Sequence, residues 1–370
     1  MKSRIATGLS AALLAFAPIV ANAQVVSPAV GKALQVARSI GHGSGAIAQV
    51  NAARAAAKTP AERLKVAQMA AYVYSNSGDY AAAAQQLEAT GAGPAKLAPY
   101  YYRAGQYDKA IATAKRVGGQ EMLVVQAQSY FKKGDGKSAA GIYQQLIRTS
   151  GPKVDWLNNL AGIQYKSGDK AAYLNTIRQL IRIDSSPAQW KALLISLKNQ
   201  AMNDHPRLSL YQLMRQTGNL TEPTDVQEMS KLAILADLPG VALGALQDAE
   251  KANVIASGDA ATQNLLRAAA QRSTAAIAAA PRQPATPAGR MLAANAYFGA
   301  SQYPQAVQAY AQVVAAKVPT SDEARMLQGI ALIRSGNSAA AQTVLGGLDK
   351  GSEFNSVAQL WSLYAQTHKA

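Results

Sequence analysis

A short motif of small and aromatic residues recurs along this chain with a constant internal spacing. One copy contains Ala98, Tyr101, Gly105, Tyr107 and Ala110, and a distant copy contains Ala294, Tyr297, Tyr303, Ala306 and Tyr310. A motif of this kind with a period of about 34 residues indicates helix pairs stacked on one another. A single pair cannot bury its apolar face, so the stack is the folding unit. The sequence therefore predicts an all-α fold, an α-solenoid of helix pairs.

The amino terminus has the pattern of a secretory signal peptide. Residues 1–4 carry two basic side chains, residues 9–20 are mostly apolar, and residues 21–23 read Ala-Asn-Ala. Small residues at those positions predict cleavage after Ala23, so that Gln24 begins a periplasmic protein. A membrane anchor is the alternative, but the apolar run is too short and Ser10 and Pro18 interrupt it.

The chain contains no cysteine. Disulfides, thiol nucleophiles and thiolate metal sites are therefore excluded, and so is a lipid anchor on a cysteine at the cleavage point. A chain of this length can bury enough apolar surface to fold without covalent cross-links.

The net charge of +16 is concentrated in one part of the chain. Residues 24–220 contain 24 lysines and arginines against 10 acidic residues, whereas residues 221–370 contain 11 of each. A basic half beside a neutral half predicts an anionic partner for the basic half, such as an acidic protein segment, a lipid headgroup or a cell-wall polymer. Nucleic acid is not expected outside the cytoplasm. Charge that serves only solubility is the other interpretation.

Turn signals and repeat copies predict seven segments. They are a signal peptide (1–23), a helical pair (24–58) whose second helix Ser44 would cap, basic repeats (59–187), degenerate repeats (188–280), a proline-rich linker (281–287), a repeat pair (288–351) and a terminal helix (352–370). Glycines such as Gly78 and Gly134 are predicted to end the first helix of a pair in the left-handed conformation. The terminal helix carries Phe354, Val357, Trp361 and Tyr364 on one face and is predicted to cap the stack.

These repeats resemble the tetratricopeptide repeat family, with four or five clear copies and weaker copies between them. Most copies lack the family's tryptophan in the first helix, and the proline that ends a standard repeat is mostly absent. The resemblance implies right-handed superhelical stacking, binding of peptides or proteins in a concave groove, and no enzymatic activity. The signal peptide, the turn at residues 218–221 and the turn at residues 238–240 also resemble secreted tetratricopeptide proteins of Gram-negative bacteria that are encoded beside TonB systems.

Aligning three successive copies on their loop glycine places an aromatic residue beside a cation in each. The pairs are Tyr102 with Arg103, Phe131 with Lys132, and Tyr165 with Lys166. Stacking would arrange them as a ladder, in which the rings supply rigid apolar area and the cations supply electrostatic steering. Gln128 and Asn158 are candidates for hydrogen bonds to a bound main chain. The alternative is that each ring packs against the adjacent pair and each cation is only solvated.

Nothing in the sequence predicts catalysis. The three histidines, His42, His205 and His368, do not have metal-ligand spacing, and the adjacent acids Asp322 and Glu323 are at a helix start, where the dipole favours them. We therefore expect no enzyme, no cofactor and no metal. The function that we expect is a periplasmic scaffold or adaptor that binds protein segments, with an accessory role in envelope transport. The alternative is an envelope-glycan or peptidoglycan binder that uses the same basic face.

Overall fold

The computed structural model describes residues 26–256 and 258–368. The signal peptide and its cleavage site lie outside these residues. Throughout the described part of the chain the regular structure is helical and contains no strand, which confirms the predicted all-α solenoid of helix pairs. In the same residues no helix is long and apolar enough to cross a membrane. The chain forms two compact units that divide between Thr176 and Ile177. We call them the first stack (residues 26–176) and the second stack (residues 177–368).

The helices of the first stack follow one another as antiparallel neighbours joined by short turns. They are α1 (Pro28–Ile40), α2 (Gly43–Ala56), α3 (Pro60–Asn76), α4 (Tyr80–Ala89), α5 (Pro94–Arg103), α6 (Tyr107–Val117), α7 (Gln120–Lys132), α8 (Gly136–Ser150) and α9 (Val154–Lys166). The next helix, α10 (Lys170–Ile181), begins in the first stack and ends in the second. From α1 to α9 each helix packs on the next, and first helices of successive pairs also make contact, such as α1 with α3 and α5 with α7.

Local sequence signals explain where these helices begin and end. Thr59 and Glu62 form the expected capping box at the start of α3. Gly78 and Gly134 have φ of +80° and +89°, which confirms the predicted left-handed turns between paired helices. The prediction for Ser44 is wrong. The left-handed turn at Gly43 (φ +76°) starts α2 before that residue, so Ser44 lies inside the helix and no side chain caps it.

Small residues lie where helices cross, and one large side chain fills the space beside them. In the first stack Ala98 and Ala110 are fully buried between α5 and α6, with Tyr101 packed against them. Around α8 the same arrangement places Ala127 and Ala139 beside Tyr143. This packing fixes the orientation of each helix pair and therefore which of its side chains remain at the surface.

The second stack contains helix pairs and one longer helix. Its members are α11 (Pro187–Lys198), α12 (Asp204–Gln216), α13 (Pro223–Leu235), α14 (Pro239–Lys251), α15 (Ala260–Ala279), α16 (Pro287–Gly299), α17 (Tyr303–Ala315), α18 (Ser321–Arg334), α19 (Ser338–Gly346) and α20 (Asn355–Thr367). A 3-10 turn, Ala280–Arg282, and residues 283–286 separate α15 from α16, so α16 begins within the proline-rich segment 281–287.

The second stack closes on itself. Its last helix, α20, contacts α12 and α18 as well as its neighbour α19. The buried Trp361 donates from Nε1 to the carbonyl oxygen of Ser209 (3.0 Å), and Gln216 Nε2 donates to the hydroxyl of Tyr364 (3.2 Å). These bonds join positions about 150 residues apart in the sequence.

Candidate partner-binding face

The three predicted aromatic–cation pairs lie in the last turns of α5, α7 and α9, immediately before the turns at Gly105, Gly134 and Gly168. We call these six residues and their two polar neighbours, Gln128 and Asn158, the aromatic–cation face.

A direct stacking contact joins two neighbouring repeats on this face. The Nζ atom of Lys166, on α9, lies 4.9 Å from the centroid of the Phe131 ring on α7. A cation in this position is attracted by the negative face of the ring, which is worth about 0.5–1 kcal/mol at an exposed site. Phe131 is half-buried and Lys166 is exposed, so the contact fixes an ammonium group at the surface without neutralising its charge.

The other ring and cation side chains of these pairs contact aromatic rings on adjacent helices. Arg103 places its guanidinium 5.2 Å above the ring of Tyr80, while Tyr102 is half-buried with its ring 6.1 Å from that of Tyr107. Tyr165 packs its ring 5.6 Å from that of Tyr173, yet it stays 67% exposed. Tyr165 is therefore the most accessible ring of the three.

The remaining predicted residues differ in exposure. Lys132 is exposed, beside Lys133, which forms an ion pair with Asp108. Asn158 is half-buried on α9. Gln128 is buried, and its side-chain oxygen has no hydrogen-bond partner among the described residues.

Gln128 lies beside a residue that the sequence did not single out for binding. The hydroxyl of Tyr143, on α8, is buried and has no well-formed hydrogen bond among the described residues. Burial raises the pKa of Tyr143, and the nearby hydroxyl of Tyr102 acts in the same direction, whereas Gln128 opposes the shift. Tyr143 therefore interacts with a residue of α5, Tyr102, and a residue of α7, Gln128, beneath the aromatic–cation face. No local signal marks this role, because tyrosine at this repeat position is also the ordinary core residue.

Two further cations stack on rings in the same region. Lys115 lies 5.6 Å from the ring centroid of Tyr130, and Lys153 lies 4.4 Å from that of Trp156. The second contact has a sequence signal, since residues three apart at a helix start are neighbours. The first joins α6 to α7 and cannot be derived from spacing alone.

Comparison with known proteins identifies the repeat. Residues 291–345 match the family model of the tetratricopeptide repeat. No curated protein sequence matches the chain.

Several solved structures are similar at low identity. The structure of Naa15/Naa10 bound to HypK-THB aligns with a TM-score of 0.39 and 13% identity, over 87% of this chain and 59% of that one, so this chain spans less than two thirds of its length. The tetratricopeptide domain of P58(IPK) aligns with a TM-score of 0.25 and 11% identity, over 92% and 80%. A tetratricopeptide repeat protein from Parabacteroides merdae gives 0.21 and 13%, over 83% and 100%.

The matched segment covers α16 to α19, and its helix–turn–helix unit recurs in the pairs of both stacks. Ala294, Ala306 and Tyr310 of this segment are fully buried, like the alanines and tyrosines at the helix crossings of the first stack. The chain therefore contains tetratricopeptide repeats, at residues 291–345.

Proposed function

We propose that this protein is a periplasmic scaffold or adaptor, without catalytic activity, that binds segments of other proteins along the aromatic–cation face. A tetratricopeptide-repeat fold is suited to a protein-interaction scaffold, because stacked pairs repeat the same side-chain positions along an extended surface. The periplasmic location rests on the signal pattern of residues 1–23.

The observation that carries the proposal is the stack of Lys166 on Phe131 beside the exposed ring of Tyr165. A cation held above a ring loses less conformational freedom on binding than a free lysine. The exposed ring offers rigid apolar area at low entropic cost. Together they form a surface on which an extended segment with acidic and apolar side chains can bind.

Charge supports an acidic partner. The residues from 24 to 220, which include this face, carry 24 basic against 10 acidic side chains. An excess of this size attracts acidic segments and raises their association rate, and the effect falls with ionic strength. Acidic segments of envelope proteins, including those of transport systems, are the partners that we propose.

Envelope glycan is the second candidate ligand. The 67% exposure of the Tyr165 ring favours it, because sugar faces stack on exposed aromatic rings as readily as apolar side chains do. Binding to purified peptidoglycan separates the two, since an adaptor for protein segments stays in the supernatant.

The test uses two variants with equal changes in charge. In the first, Arg103→Gln, Lys132→Gln and Lys166→Gln remove three exposed cations of the aromatic–cation face. In the matched control, Lys231→Gln, Arg272→Gln and Arg282→Gln remove three exposed cations of the second stack. Both sets leave the half-buried rings in place, so helicity by circular dichroism should match that of the wild type.

Crosslinking in cells, followed by capture and mass spectrometry, gives the readout. We expect a defined set of envelope proteins from the wild type and from the control, and loss of that set from the face variant. Equal capture by all three proteins would reject this face as the binding site. Enrichment of wall fragments in place of proteins would favour the glycan binder.

A further inference from the structure

Arg334, the last residue of α18, has an unusual position in the second stack. Its guanidinium carbon lies 5.0 Å from the centroid of the buried Phe298 ring, and the hydroxyl of Tyr303 is beside it. The side chain is partly buried against α16 and the start of α17. Among the described residues, no carboxylate lies within ion-pair distance of it.

A second arginine lies close to Arg334 and is bound differently. Arg215, in the last turn of α12, donates to Asp248 Oδ2 from Nε (2.9 Å) and from Nη2 (2.7 Å). Burial lowers the pKa of Arg334 to about 10, Tyr303 opposes the shift, and the positive charge of Arg215 adds to it. Arg334 therefore stays charged at neutral pH beside another cation, an arrangement that is unfavourable without a counter-charge.

A buried amide on α12 also lacks partners. Gln212 is fully buried, and neither its Oε1 nor its Nε2 has a hydrogen-bond partner among the described residues. It lies one helical turn before Arg215, so the two side chains share a side of α12. Buried polar groups are nearly always hydrogen-bonded, and unpaired ones call for a bound water, ion or ligand.

We propose that Arg334 and Arg215, with the Gln212 amide as a further donor, form a binding site for an oxyanion group in the second stack. The planar guanidinium matches the two oxygens of a carboxylate or a phosphate, and such pairs are stronger than neutral hydrogen bonds. A bound oxyanion supplies the counter-charge that Arg334 lacks, while Asp248 already neutralises Arg215. The site lies in a different stack from the aromatic–cation face, so it does not depend on the proposed function.

The experiment titrates the full mature chain with inorganic phosphate and, separately, with acetate at constant ionic strength. Calorimetry and the melting temperature are the readouts. We expect one saturable site per chain for at least one probe, and binding at least about tenfold weaker in Arg334→Gln. Tighter phosphate binding would indicate phosphorylated ligands, and tighter acetate binding would indicate carboxylates. Arg272→Gln, an exposed arginine of α15 with the same change in charge, should bind like the wild type.

The melting temperature gives an independent test. Without added oxyanion, Arg334→Gln should melt at the same temperature as the wild type or higher, because it removes an uncompensated charge. With saturating probe the order should reverse. Non-saturable heats for both probes, or equal affinity in Arg334→Gln, would overturn the site. A variant that melts lower by the same amount with and without probe would show that Arg334 only packs on Phe298.

Discussion

The two stacks are built from the same helix pair but differ in how far their contacts reach along the sequence. In the first stack, hydrogen bonds between helices join residues about one repeat apart, as Ser27 N–H to Glu62 and Gly43 N–H to Ser77 do. In the second stack, α20 returns to α12, and bonds such as that of Trp361 to Ser209 connect distant repeats. A repeat protein can therefore leave the face of a stack available or cover it with its own last helix.

Several cations of the two stacks are held differently. In the second stack Lys198 binds Asp225 at 2.6 Å and Arg215 binds Asp248, so the charges of these two residues are neutralised internally, whereas Arg334 lies on the Phe298 ring. In the first stack Arg103 and Lys166 lie over rings, which orient the cation but leave its charge uncompensated. Oriented but uncompensated cations suit a surface that binds an anionic partner. Paired cations suit a stack that is held together from within.

The largest expected effect comes from removing the residue that anchors α20. Trp361→Ala deletes a fully buried ring and its hydrogen bond to the Ser209 carbonyl, so we expect a loss of about 4 kcal/mol. Hydrogen exchange, followed separately for peptides of each stack, should show faster exchange in α12 and α20 and unchanged exchange in α5 and α7.

A conservative variant separates the ring from its hydrogen bond. Trp361→Phe keeps most of the apolar volume and should lose about 1–2 kcal/mol. If Trp361→Ala costs less than about 1 kcal/mol by urea unfolding, α20 does not hold the second stack closed. The long-range contacts would then not distinguish the stability of the second stack from that of the first.

The next effect tests a backbone contact that holds α14 against α16. A Cβ atom on Gly240 would lie 2.6 Å from the carbonyl carbon of Gly299, too close to any backbone atom. Gly240→Ala should therefore cost about 3 kcal/mol in urea unfolding, because the two helices must separate. In the first stack, Gly141→Ala places its Cβ in open space on α8 and should gain about 0.5–1 kcal/mol. If Gly240→Ala changes the stability as little as Gly141→Ala does, Gly240 and Gly299 do not limit how closely α14 and α16 approach each other.

The stability of the second stack should also depend on pH. His205 Nδ1 lies 2.5 Å from Glu323 Oε1. The hydrogen bond to Glu323 raises the pKa of His205 above 6.5, burial opposes the shift, and the charges of Glu323, Glu353 and Asp204 support it. The stabilisation is therefore fully present below pH 6.5 and is lost as pH rises through the higher folded pKa. Because His205 is about half exposed, we expect less than about 1 kcal/mol.

The measurement compares unfolding at about pH 5.5 and about pH 8.5. The wild type should be less stable at the higher pH, and His205→Gln should remove the difference. The first stack should not respond over this range, because hydrogen bonds from Ser27, Thr59 and Lys58 hold the pKa of Glu62 at about 2. The contribution of Glu62 is present above its unfolded value of 4.5 and is lost only as pH falls toward 2. A pH response that persists in His205→Gln would contradict this assignment.

Much of the fold could be predicted because its signals are local. The capping box of Thr59 and Glu62 and the left-handed turn at Gly78 depend on a few adjacent residues. The contacts that could not be predicted are those between distant repeats. The sequence predicts that Trp361 lies on the apolar face of a terminal helix, and it is buried there, but nothing nearby in the sequence indicates that this face also covers α12.

The candidate site shows the same limit. Aligning the copies brought Phe131 and Lys166 into equivalent parts of adjacent helices, because the repeat period is regular. That the ammonium of one repeat lies on the ring of the preceding repeat depends on the angle between successive pairs, which core packing sets. Residues such as Arg334 and Gln212 gave no signal, since an unpaired charge or amide is recognisable only when its surroundings are known.

The last expected effect is also small and concerns the turns inside the pairs. The first stack has Gly78 at a left-handed turn (φ +80°), whereas the second stack has Ser301 (φ +58°) at the turn between α16 and α17, although its turns at Gly218 and Gly336 also use glycine. A serine in this conformation costs about 1 kcal/mol relative to glycine, partly offset here by the bond from the Tyr303 hydroxyl to Ser301 Oγ (3.2 Å). Ser301→Gly should therefore gain about 0.5 kcal/mol, and the reverse change, Gly78→Ser, should lose about 1 kcal/mol. Urea midpoints that move in the same direction for both variants would show that backbone strain does not distinguish these two turns.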